Sequence, residues 1–112
     1  MSIKQHRAQK IPEIEVGMLQ MQILWLLNRK KTHGYELMKE LNKLKTTNIT
    51  QGTMYPALQR LQELKLVKSS ASGRKINYML TPAGRKVMRD SCADFCRTFH
   101  GIFEDFICEK CK

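Results

Sequence analysis

Four cysteines stand near the end of the chain, at positions 92, 96, 108 and 111, with His100 between them. Cys92, Cys96 and His100 fall at i, i+4 and i+8, and Cys108-x-x-Cys111 has the spacing of a chelating pair. Thiolate and imidazole donors in such patterns hold zinc, and thiols alone respond to oxidants. Geometry weakens a site shared by the first three, because i and i+8 on a straight helix lie about 12 Å apart, too far for one tetrahedral ion. Cys108 and Cys111 can chelate together, whereas Cys92 and Cys96 suit packing as small apolar side chains.

A second chemistry lies in the charge. The net charge is +10, but residues 1–89 carry 17 Lys/Arg against 5 Asp/Glu, and residues 90–112 carry 3 against 5. A domain that grips a polyanion, followed by a tail that grips protein, produces that division. Between Glu63 and Asp90 stand seven basic residues and no acid: Lys65, Lys68, Arg74, Lys75, Arg85, Lys86 and Arg89. Immediately before them, Thr50, Gln51, Thr53 and Tyr55 offer uncharged hydrogen-bonding groups around Gly52. Lysine and arginine neutralise phosphates, and amide or hydroxyl groups read base edges, so the two sets together suit duplex DNA.

These groups need elements to hold them. Residues 12–29 open on Pro12 with Glu13 and Glu15 in the first turn and close on Arg29, which is the charge order of a helix. Leu19, Ile23, Leu26 and Leu27 share one face of it, with Met18 and Trp25 flanking. A second helix is predicted over about 33–44, with Thr32 as N-cap and Leu37, Met38, Leu41 and Leu44 at helical spacing. After the polar turn at 45–48, a third helix is predicted over about 50–65 with Ala57, Leu58, Leu61 and Leu64 as its stripe. Two short helices about a tight turn make a helix-turn-helix.

LVKSS and INYMLT around ASGRK then read as a two-stranded wing, turned at Ser72 and Gly73. Thr81-Pro82 caps a long final helix over about 82–107. On it Met88, Cys92, Phe95, Phe99, Ile102 and Phe106 alternate spacings of three and four, and Cys96 and Phe103 widen the seam. Three of the four phenylalanines lie in the seam of this one protruding helix and require a partner surface, and a second copy of the chain is the expected one. The fold class is therefore mainly α: a winged helix-turn-helix over 1–81 with a basic N-terminal arm, and a dimerisation helix and tail over 82–112.

The motifs HGYELMKEL (33–41), GTMYPALQRLQELKLV (52–67) and YMLTPAGRKVM (78–88) resemble the PadR family of winged-helix transcriptional regulators. The resemblance spans about residues 18–88 in the right order, and one helix after the wing matches the shorter subfamily. It implies a homodimeric DNA-binding repressor, with the third helix in the major groove, the wing near the minor groove and the last helix forming the dimer.

On the residues themselves, Gln51 can pair bidentately with adenine or serve as a capping partner for Asn48. Thr50, Thr53 and Tyr55 suit phosphates, and Gly52 admits a sugar-phosphate strand. Tyr35, the family's HGY tyrosine, either meets a phosphate or closes the helix-turn-helix as a half-buried aromatic. His33 beside it suits a local structural role better than titration. Arg60 lies later on the third helix and suits a phosphate or Glu63, while Arg74 and Lys75 occupy the wing tip. Lys4, Arg7 and Lys10 would add nonspecific affinity.

Trp25 suits the core or the dimer interface, with stacking on a small aromatic effector between subunits as the second reading. Two rival readings keep the fold: a metal- or thiol-responsive regulator using the four cysteines, and a protein-interaction module. No nucleotide-binding glycine loop, nucleophile elbow or carboxylate pair supports an enzyme, and no cofactor is expected. No apolar run of membrane-spanning length and no signal-peptide pattern occurs, so a cytoplasmic setting without membrane partners is expected.

Overall fold

A computed structural model describes residues 12–44 and 49–110, apart from the side chains at 12, 15 and 108–110. Helix α1 spans Pro12–Arg29, strand β1 Thr32–His33, helix α2 Gly34–Leu44 and helix α3 Gln51–Glu63. Strands β2 (Val67–Ser72) and β3 (Lys75–Leu80) form the wing, and helix α4 spans Pro82–Lys110. Helix α4 runs three residues past the predicted end at 107.

The sheet has three strands in the order β1-β3-β2, all antiparallel. Here the expected two-stranded wing gains a strand. Thr32, predicted as an N-cap, instead pairs with Tyr78, and His33 pairs with Asn77. The cap of α2 falls to His33, whose Nδ1 accepts the Glu36 N–H at 3.4 Å. In the wing, Ser72 pairs with Lys75, so the turn is Gly73–Arg74 rather than Ser72–Gly73. Gly73 sits at φ +62°, the left-handed region that side chains resist.

The core gathers the α1 face (Leu19, Ile23, Leu26, Leu27), Leu37 and Leu41 of α2, and Ala57, Leu58 and Leu61 of α3. The wing contributes Val67, Tyr78 and Leu80. Leu44 and Leu64, expected on the buried stripes, are exposed at or just beyond their helix ends. Met54, which follows Gly52 in the first turn of α3, is 0% exposed and anchors that end. Truncating any of the fully buried Ile23, Leu37, Leu41 or Leu58 to Ala costs about 2–5 kcal/mol.

Two local devices fix the angles between elements. The Asn42 side chain accepts the Ile49 N–H through Oδ1 and donates through Nδ2 to the Ile49 carbonyl at 3.4 Å. This brackets the chain just before α3. At the other end of α3, Leu66 N–H donates to the Leu61 carbonyl and Lys65 N–H to that of Gln62, both at 2.9 Å. That is the hydrogen-bond pair of a Schellman cap, with Lys65 at φ +62° where glycine is usual.

Thr81 joins this cap to α4. Its hydroxyl accepts the Gly84 N–H at 3.0 Å and donates to the Lys65 carbonyl at 2.7 Å, while its N–H donates to the Leu66 carbonyl at 3.0 Å. Gly84 lies so close that an added Cβ would stand 2.0 Å from the Leu66 carbonyl oxygen. The predicted Thr81 cap therefore also locks the end of α3 to the start of α4.

Candidate nucleic-acid interface

Thr50 is the N-cap of α3, with an extended backbone (φ −99°, ψ 166°) and no side-chain capping bond. Its carbonyl takes the N–H groups of Thr53 and Met54 at 3.1 and 3.0 Å, and its hydroxyl lies 3.3 Å from that of Thr53. The N–H groups of Gln51 and Gly52 have no partner among the described residues, so the helix presents donors and the positive end of its dipole outward. Gln51, Gly52 and Thr53 are all exposed. Asn48, the suggested capping partner of Gln51, lies outside the described residues, as does the Lys4, Arg7 and Lys10 arm.

Pro56 sits inside α3, and both it and Gly52, whose carbonyl loses its usual donor, are exposed residues. An added Cβ at Gly52 meets only the Thr50 hydroxyl, at 3.7 Å. Folding therefore does not demand glycine at position 52.

A groove of about 540 Å³ opens beside this helix end. Tyr35 from α2, Tyr55 from α3 and Arg74 and Lys75 from the wing all line it. Four of the predicted contact residues thus converge from three elements on one concavity. Tyr35 is the most open of the tyrosines at 62% exposure, with the Lys39 ammonium 5.5 Å from its ring centre.

Tyr55 has a packing role that the sequence did not disclose. Its phenol covers Gly34, where an added Cβ would lie 2.5 Å from the Tyr55 hydroxyl oxygen. The floor of the groove is Tyr78, whose phenol is pushed above its ordinary value by burial first and by Tyr55 second.

Arg60 stays apart from the groove and pairs with Glu63 at 3.6 Å, the alternative that the sequence allowed. Gln62 Nε2 donates to the Ser69 hydroxyl at 3.0 Å and ties α3 to the wing. Of the seven basic residues between Glu63 and Asp90, Lys86 pairs with Asp90 at 3.0 Å. Arg74 and Lys75 have no carboxylate partner among the described residues.

The predicted seam on α4 divides. Met88 is 5% exposed and belongs to the core of its own chain, so the seam begins after it. Cys92 packs against that core, and burial first and Cys96 second push its thiol above the ordinary value. Phe95, Phe99, Ile102, Phe103 and Phe106 remain exposed. With Ile14 and Met18 of α1, most of them line an apolar groove of about 660 Å³.

Trp25 is 39% exposed beside Cys92 and Cys96, and the Arg29 guanidinium carbon lies 5.4 Å from its ring centre. His100 pairs with Glu104 at 2.8 Å rather than joining the thiols. Among the described residues no group of three His, Cys, Asp or Glu side chains is placed to hold one metal ion. The Cys108 side chain and Cys111 lie outside them.

A helix-turn-helix followed by a wing, with a long helix beyond it, defines a winged-helix regulator. The family model described as the transcriptional regulator PadR-like family matches residues 23–90, and the chain belongs to that family. The transcriptional regulator YqjI of Escherichia coli (strain K12) is 36% identical over 78 residues, which cover 67% of this chain and 38% of that protein. A Streptomyces fradiae relative, an uncharacterized 37.1 kDa protein in transposon TN4556, is 29% identical over 89 residues, 79% of this chain and 26% of its own. The chain thus spans less than two fifths of the length of these curated relatives. A PadR family transcriptional regulator from Eggerthella lenta DSM 2243 superposes with a TM-score of 0.73 at 27% identity, covering 91% of this chain and 89% of that one. This is a family of transcriptional regulators, not of enzymes. Among the described residues no helix is long and apolar enough to cross a membrane.

Proposed function

We propose that the chain is a homodimeric, sequence-specific DNA-binding repressor. The observation that carries this reading is the convergence of Tyr35, Tyr55, Arg74 and Lys75 on one groove beside the open start of α3. Thr50, Gln51, Gly52 and Thr53 enter the major groove, with Gln51 as the base reader and the free N–H groups on a phosphate. Arg74, at the wing tip, and Lys75 reach the backbone or the minor groove, and Tyr35 donates to a phosphate. Arg60, tied to Glu63, contributes a marginal phosphate contact.

The exposed Phe95, Phe99, Ile102, Phe103 and Phe106 of α4, with Ile14 and Met18 of α1, supply the surface for a second copy. A monomer rarely leaves so much contiguous apolar surface in water. Two α3 helices then address successive major grooves of a pseudo-palindrome. An aromatic effector would relieve binding by stacking on Trp25 between the subunits.

Anisotropy titration of a duplex selected from a random pool tests the reading. Log affinity should fall against log salt with a slope of about −0.9 for each phosphate neutralised. Absence of duplex binding at low salt would overturn it.

A further inference from the structure

Away from the DNA groove, Met21, Gln22 and Trp25 of α1 face Cys92, Phe95 and Cys96 of α4 across a cavity of about 270 Å³. One arrangement separates it from ordinary apolar packing: Cys92 and Cys96 are both free thiols one helical turn apart, which sets their Cβ atoms about 5–6 Å from each other.

The donor set narrows the ligand. No histidine and no carboxylate lines the cavity, so the four-ligand cage that zinc requires is not assembled there. Two thiols and the Met21 thioether are soft donors, which favour polarizable d¹⁰ ions of low coordination number. Two thiolates neutralise a dipositive ion, so the half-exposed Trp25 and Phe95 beside them flank a complex without net charge.

We propose that Cys92 and Cys96 chelate a soft, divalent, two-coordinate d¹⁰ ion of the mercuric kind. Two S–H bonds break, two metal–sulfur bonds form and two protons pass to solvent, with no change of oxidation state. The site is distinct from the DNA-contact groove, and its failure leaves the duplex-binding reading standing.

Trp25 is the chain's single tryptophan, so its fluorescence reports on this cavity. The experiment titrates Hg(II) into the full chain carrying Cys108→Ser and Cys111→Ser, against an excess of a monothiol competitor, with stoichiometry from native mass spectrometry. One ion per chain and quenching of Trp25 are expected. Cys96→Ala in the same background should lower the affinity at least a hundredfold, and because Cys96 is exposed its thermal unfolding should not change. Equal retention of Hg(II) by the Cys92→Ala, Cys96→Ala chain would overturn the site. So would loss of binding on replacing only Cys108 and Cys111, one ion per two chains, or tight Zn(II) binding in the Cys108→Ser, Cys111→Ser chain.

Discussion

Gly52 is the residue where stability and the proposed DNA contact separate. Its backbone is accessible to ordinary side chains and an added Cβ finds room. Gly52→Ala should therefore stabilise the fold by roughly 0.5–1 kcal/mol through helix propensity while weakening duplex binding. A lower melting temperature with unchanged DNA affinity would contradict this. Arg74→Ala removes a wing-tip cation, so affinity should drop about equally across operator and unrelated duplexes, with a salt slope shallower by about 0.9. Lys65 stands at φ +62° without needing its side chain there, so Lys65→Gly should raise stability by about 1 kcal/mol, seen as a higher melting temperature. The Tyr78 shift has its own sign. A raised phenol in the folded chain means that the unfolded chain deprotonates first as pH climbs. Stability is unaffected below the ordinary value of 10.0 and declines above it, and Tyr78→Phe should remove that alkaline decline from denaturation curves.

At the scale of elements, the joint between α3 and α4 is the most exacting part of the fold. Gly84→Ala would drive a Cβ into the Leu66 carbonyl, a backbone atom that cannot turn aside, so a loss of about 3 kcal/mol or more is expected in chemical denaturation. The helices themselves were legible, because leucines spaced at three and four mark a buried face wherever they recur. Thr81-Pro82 announced the start of α4 through cap chemistry that acts within four residues. What stayed hidden was long-range or too short to have a period. Strand β1 is two residues, and its pairing with β3 depends on chain 44 and 46 positions away. Met54 continues the stripe of Ala57, Leu58 and Leu61 by one turn, but Gly52 and Pro56 on either side of it mask the helical pattern there, and it is fully buried. The candidate contact residues were legible by chemical type, but Tyr55's packing on Gly34 was not, since nothing local in HGY or TMYP specifies that the two meet.

Across the whole molecule, the apolar strip on α4 is the surface proposed for a second copy of the chain. Phe103→Glu should leave the winged helix folded, because Phe103 is 60% exposed, yet shift the chain to monomer in sedimentation analysis and weaken operator binding. A dimer unaffected by that charge would place the interface elsewhere. The joint at Thr81, Gly84 and Leu66 gives this strip mechanical authority over the reading head. Helix α4 has 29 residues, so at 1.5 Å per residue it is a rod of about 44 Å, bolted to α3 at one end. A tilt of about 10° moves the free end by about 8 Å, more than two base-pair steps of roughly 3.4 Å. In the proposed dimer, gearing of that kind would turn a small change in how two rods cross into a misfit between two α3 helices and a fixed length of duplex.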